Sequence, residues 1–94
     1  MRISDFKEIN NVYSGNIEVV PGGHFVLRGM IVDKSEIFIS AHATVDIYGT
    51  VEGTIHNNGG VLNVFGIVGT VDKGNGINNF YKSAIIHNII NRTM

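Results

Sequence analysis

The sequence predicts a mainly β fold: a short parallel β-solenoid of about four coils, closed by a C-terminal amphipathic capping helix. Three observations predict it. A glycine-centred segment recurs four times, the repeats are spaced near 17 residues, and Ile and Val together number 25 against two Leu. Abundant β-branched residues with little Leu favour strands over helices.

The four segments are 11–19, 25–33, 45–53 and 62–70, centred on Gly15, Gly29, Gly49 and Gly66. Their shared pattern is apolar-x-apolar-x-Gly-x-apolar, the period of a strand. The first copy is the weakest, with Asn11 at the first apolar position. Small residues precede the later copies at a fixed offset, as Gly22-Gly23, His42-Ala43 and Gly59-Gly60. Such pairs suit a corner where the chain turns tightly. No single coil buries its own apolar face, so coils must stack about 4.8 Å apart to make a continuous core. An antiparallel sandwich fits the Gly-rich turns too, but it has no need for the same in–out phase around every glycine.

The ends read differently. Residues 77–94 hold no glycine, and Ile77, Phe80, Tyr81, Ala84, Ile85, Ile89 and Ile90 recur at helical spacing. Asn78 or Asn79 then serves as the N-cap. Ile3, Phe6 and Ile9 predict a helix or strand over the first coil. The expected organisation is one domain, 1–94, with an N-terminal cap (1–10), a solenoid (11–76) and a capping helix (77–94).

The glycine phase sorts side chains. Inward positions are Phe25, Leu27, Ile31, Val45, Ile47, Val51, Leu62, Val64 and Val68. Outward columns hold Ser14, Arg28, Tyr48 and Phe65 before the glycine, Asn16, Met30, Thr50 and Ile67 after it, and Glu18, Val32, Glu52 and Gly69 three residues after it. A protein-binding face of Arg28, Met30, Tyr48, Phe65, Ile67 and Glu52 follows, because aromatics, Met and Arg are enriched at interface centres. The alternative is that the terminal segments fold over this face and bury it.

VDIYGTVEGTI (45–55) and VLNVFGIVGTV (61–71) resemble the bactofilin-type and related short Gly-Val-rich β-solenoids. The resemblance covers residues 11–72. It implies a right-handed triangular solenoid and head-to-head polymerisation without nucleotide. The chain has fewer coils than that family, and its expected terminal helix would obstruct stacking of subunits.

Composition narrows the function. A net charge of −1 argues against a nucleic-acid binder. The chain has no cysteine, hence no disulfide, thiolate metal site or cysteine nucleophile. This leans to the cytoplasm. MRISDFKEIN lacks the apolar run of a signal peptide, and no stretch approaches the length of a membrane helix. From Gly15 to Gly76 there are six acids and three bases, an acidic balance suited to a basic partner. His24, His42, His56 and His87 lack metal-ligand spacing, and no catalytic pair, phosphate loop or cofactor motif is present. Glu18 and Glu52 fall in one column two coils apart, too far for a retaining glycosidase pair and only marginal for an inverting one. The glycine spacings are not the six-residue repeat of acyltransferase solenoids, and Thr44, Thr50, Thr54 and Thr70 form no ice-binding row. The eleven Asn suggest side-chain ladders between coils, as at Asn57 and Asn58.

The expectation is therefore a non-enzymatic protein-binding module, a monomer or small oligomer. Its most concrete form is an immunity-like protein that blocks a toxin by covering its surface. The alternative is a bactofilin-like self-assembling scaffold.

Overall fold

Each apolar-x-apolar stretch forms a strand of a parallel β-solenoid with about five turns. The computed structural model describes residues 1–90. The strands are β1 (Arg2–Ile3), β2 (Phe6–Ile9), β3 (Val12–Ser14), β4 (Ile17–Val19), β5 (His24–Leu27), β6 (Met30–Val32), β7 (Ile37–Ser40), β8 (Thr44–Ile47), β9 (Thr50–Asn58), β10 (Val61–Val64), β11 (Ile67–Asp72), β12 (Ile77–Phe80) and β13 (Ile85–Ile90).

They stack into three faces. The first is the sheet β2-β5-β8-β10-β12. The second runs from β3 through β6 to the start of β9, then to the first residues of β11 and β13. The third runs from β1 through β4 and β7 to the second half of β9, then to the ends of β11 and β13. Among the described strands every pair is parallel, as a coil that advances one layer per turn requires; an isolated bridge, Ser40↔Gly59, is antiparallel.

Register makes the core. Phe25, Val45 and Leu62 are aligned, as are Leu27, Ile47 and Val64, and Ile31, Val51 and Val68. All nine inward residues expected from the glycine phase are buried, none above 1 % exposed. Ile17, Ile37, Ile55 and Val71 add a column on the third face, all fully buried. Each such side chain stabilises the fold by roughly 1.5–3 kcal/mol.

Polar groups secure the corners. Asn57 is fully buried in the column of Ile39. Its Nδ2 donates to the Ile77 carbonyl and to Asn78 Oδ1, both at 3.0 Å, and its Oδ1 accepts the amide of Gly60 at 2.9 Å. The amide ladders expected from the Asn content are present here and at Asn79–Asn63, 2.9 Å. The small-residue pairs do mark a corner: Gly22 (φ 88°), His42 (φ 65°) and Gly59 (φ 121°) share the left-handed region.

Three expectations are corrected. Residues 77–90 are not helical. Ile77–Phe80 pair with Val61–Val64, and Ile85–Ile90 with Ile67–Asp72, making a fifth coil. Five Ile in this stretch are poor helix formers, and the coil below offers an open row of backbone partners. Residues 91–94 of the expected helix lie outside the described residues. Second, the boundary at residue 10 moves: residues 1–10 take the strand form offered for them, β1 pairing with β4 and β2 with β5 from Phe6↔His24 to Ile9↔Leu27, and continue the solenoid's sheets. Third, the first repeat lies in a different register from the expected one. Val12 pairs with Met30, so Asn11, not Gly15, precedes it in the glycine column. Gly15 (φ 136°) lies at a different corner, over the Tyr13 ring.

A candidate interaction surface along one corner

The corner between the first and second faces carries the expected surface. The residue after each of buried Leu27, Ile47 and Val64 and of half-buried Phe80 points outward, and register places Arg28, Tyr48, Phe65 and Tyr81 in one column. The Arg28 guanidinium lies 4.7 Å from the Tyr48 ring centroid. Tyr48 and Phe65 stack at 4.7 Å with planes 5° apart, and Phe65 and Tyr81 at 4.3 Å and 11°. Arg28 Nε donates to Glu8 Oε2 at 2.8 Å, closing the N-terminal end of the ladder.

Next along the chain come Gly29, Gly49 and Gly66, whose backbone bends directly onto the coil below. Their amides donate to Ile9, Leu27 and Ile47, and their carbonyls accept the amides of Thr50, Ile67 and Ile85. The following column is Val12, Met30, Thr50, Ile67 and Ile85. Val12, Met30, Ile67 and Ile85 are exposed, as are Tyr48 and Tyr81. The corner is thus two apolar ridges separated by a trough of bare backbone. No described terminal segment covers it, so the alternative of internal burial does not hold for the described residues.

The structure brings together Arg28, Met30, Tyr48, Phe65 and Ile67. Glu52 lies apart on the second face, where its carboxylate accepts the Asp33 amide at 3.0 Å. The register error removes three residues from these columns. Ser14 donates to Asp33 at 2.6 Å, Asn16 accepts the Glu36 amide at 2.9 Å, and Glu18 is on the third face between Arg2 and Phe38. Glu18 and Glu52 therefore do not share a column. Tyr81 is the ladder residue that sequence reasoning missed. Its signal was the apolar–aromatic pair Phe80-Tyr81, repeating Ile47-Tyr48 and Val64-Phe65 without the glycine.

Other polar side chains form cross-coil staples. On the third face His56 Nε2 lies 2.5 Å from Glu36 Oε1, its Nδ1 3.1 Å from Asp72 Oδ2, and its ring stacks on Phe38 at 4.9 Å. On the first face His24 Nε2 lies 2.7 Å from Asp46 Oδ2, while Asn63 donates to Asp46 Oδ1 at 2.8 Å. The histidines do not converge, and among the described residues no group of three His, Asp or Glu is arranged to hold a metal ion. Among them also no helix is long and apolar enough to cross a membrane.

In comparisons with known proteins, no family model, no curated protein and no solved structure matches this chain.

Proposed function

We propose that this chain is a non-enzymatic protein-binding module whose contact surface is the corner of Arg28, Met30, Tyr48, Phe65, Ile67 and Tyr81. The carrying observation is that this apolar strip, about four layers long, stands open along a core built from other residues. Contiguous exposed apolar patches mark contact surfaces, and aromatic, Met and Arg side chains dominate their energetics. The stacked geometry speaks against a sugar platform. Tyr48 and Phe65 have both ring faces occupied by neighbours, and a sugar needs a free face. The polar clusters speak for structure over chemistry: both ring nitrogens of His56 are held by carboxylates. Neutralising a toxin by covering its surface is one form such binding takes.

The test is affinity capture from source cells with the immobilised chain, its Ile67→Glu and Met30→Glu variants, and a Glu18→Gln control on the third face. A protein retained by wild type and control, but lost from both strip variants, supports the reading. Identical recovery on all four removes the strip as the contact surface.

A second reading, self-assembly through the solenoid end, is favoured by the fifth coil. β12 and β13 contain no Asp, Glu, Lys or Arg, and Ile89, aligned with buried Val71, is half exposed. Among the described residues no further strand pairs with this neutral edge, and such an edge invites another strand. Sedimentation velocity distinguishes the two readings: association abolished by Ile89→Lys favours assembly, and a concentration-independent monomer favours the binding module.

A further inference from the structure

Resting on the reading of the corner strip as a contact surface, we infer that its occupant is an amphipathic α-helix of a partner protein, laid along the solenoid axis in the trough between the two ridges.

The backbone chemistry of the trough decides against an extended segment. A strand gains affinity by pairing its amides and carbonyls with an open edge. Here the amides and carbonyls of Gly29, Gly49 and Gly66 are already engaged between coils. An extended chain lying in the trough would leave its own polar backbone facing apolar ridges without partners, which is costly. A helix brings a backbone satisfied internally and needs only side-chain contact.

The dimensions agree. Coils repeat about every 4.8 Å and helix turns about every 5.4 Å, so the mismatch is about 0.6 Å per layer. Across three layers it stays below half a repeat. Apolar residues at i, i+4, i+7 and i+11 of the partner therefore fall in succession beside Met30, Tyr48, Ile67 and Tyr81. The ladder's three steps, about 14 Å, take roughly 10 to 12 residues of helix.

Charge sets the direction. At the N-terminal end of the ladder, Arg28 is already paired with Glu8. At the other end Lys82 follows Tyr81 in an exposed turn and has no ion pair among the described residues. The negative end of a helix dipole, or an acidic residue in its last turn, is stabilised beside such a cation. The helix C-terminus lies at Lys82.

The experiment is site-specific photocrosslinking in source cells. Thr50→p-benzoylphenylalanine places the probe in the middle of the aliphatic ridge, and Glu18→p-benzoylphenylalanine is the control. Mass spectrometry identifies the cross-linked segment, which is then synthesised as a peptide and titrated against the whole protein. The expected result is a segment with apolar residues at three- and four-residue spacing that gains helical circular dichroism on binding. Ile67→Glu weakens it at least tenfold, and Lys82→Glu about threefold. A segment of alternating period that binds without helicity, or a second copy of this chain, overturns the helix while leaving the strip as the surface. No cross-link at Thr50, or cross-linking no stronger than at Glu18, overturns the strip itself.

Discussion

The carbonyl oxygen of Gly49 occupies the place that a side chain on Gly66 would need: a Cβ built on Gly66 falls 2.0 Å from it. The same relation holds one coil lower, where a Cβ on Gly49 would lie 1.9 Å from the Gly29 carbonyl. Neither glycine has positive φ, so the requirement is for space and not for an unusual backbone. The obstacle is backbone, which no rotamer change removes.

Gly66→Ala therefore destabilises by about 3 kcal/mol or more, well above the usual cost of a surface substitution. In a domain of this size that lowers the Tm by more than about 12 °C. Thermal unfolding followed by circular dichroism measures it. A loss below about 1 kcal/mol would show that adjacent coils separate easily at this corner.

The same relation explains which parts of the fold were legible. Gly29, Gly49 and Gly66 fix the phase of three coils, so nine core residues and the Arg28–Tyr48–Phe65 column could be read from alternation alone. Asn11 holds the corresponding place in the first coil, where among the described residues β3 pairs only with β6 and no strand lies on its other side. The glycine signal is therefore absent there, and Gly15, needed for its positive φ, resembled the missing copy. In the fifth coil the turn after Tyr81 is longer, and Ser83 Oγ reaches back to the Phe65 carbonyl at 2.7 Å. Without the glycine, Ile77, Phe80, Tyr81 and Ala84 fall at helical spacing by coincidence. The staples were hidden for another reason. His56 is 20 residues from Glu36 and 16 from Asp72, and only the register of three coils brings them together.

His42 is the one non-glycine among three corner residues with positive φ. It is exposed, so its side chain contributes little to packing. Left-handed backbone costs an L-residue roughly 1–2 kcal/mol, and the added freedom of glycine in the unfolded chain returns part of that. His42→Gly should raise stability by about 0.5–1 kcal/mol. Gly22→Ala, at φ 88° with nothing within 4 Å of the added Cβ, should lower it by about 1 kcal/mol. Urea denaturation of both variants checks the pair. The same sign for both would rule out backbone conformation as the common cause.

The His56 staple joins three coils, so its members should couple energetically. His56→Ala removes the ring from Phe38 and leaves the Glu36 and Asp72 carboxylates facing the space it filled. Asp72 is buried, at 7 % exposure, which strengthens a charge-assisted contact. A cost of about 2 kcal/mol follows for His56→Ala. A double-mutant cycle with Asp72→Asn should give a coupling of about 1 kcal/mol. Additive costs in that cycle would mean that the imidazole contributes packing alone.

The aromatic ladder makes the last prediction, because Phe65 is its middle member and stacks on both neighbours. Aromatic pairs contribute about 0.5–1.5 kcal/mol each beyond the area they bury. Phe65→Leu keeps an apolar side chain at the corner but removes both stacks, with Tyr48 and with Tyr81. It should cost about 1–3 kcal/mol and change the near-ultraviolet circular dichroism of the two tyrosines. Ile67→Thr is the matched control: it lies across the trough, is already exposed, and takes the residue that Thr50 supplies one coil below. Its cost should stay within about 0.5 kcal/mol. If the two variants unfold at the same urea concentration and the tyrosine signal is unchanged, the rings are neighbours by register only, and the corner is held in place by its glycines alone.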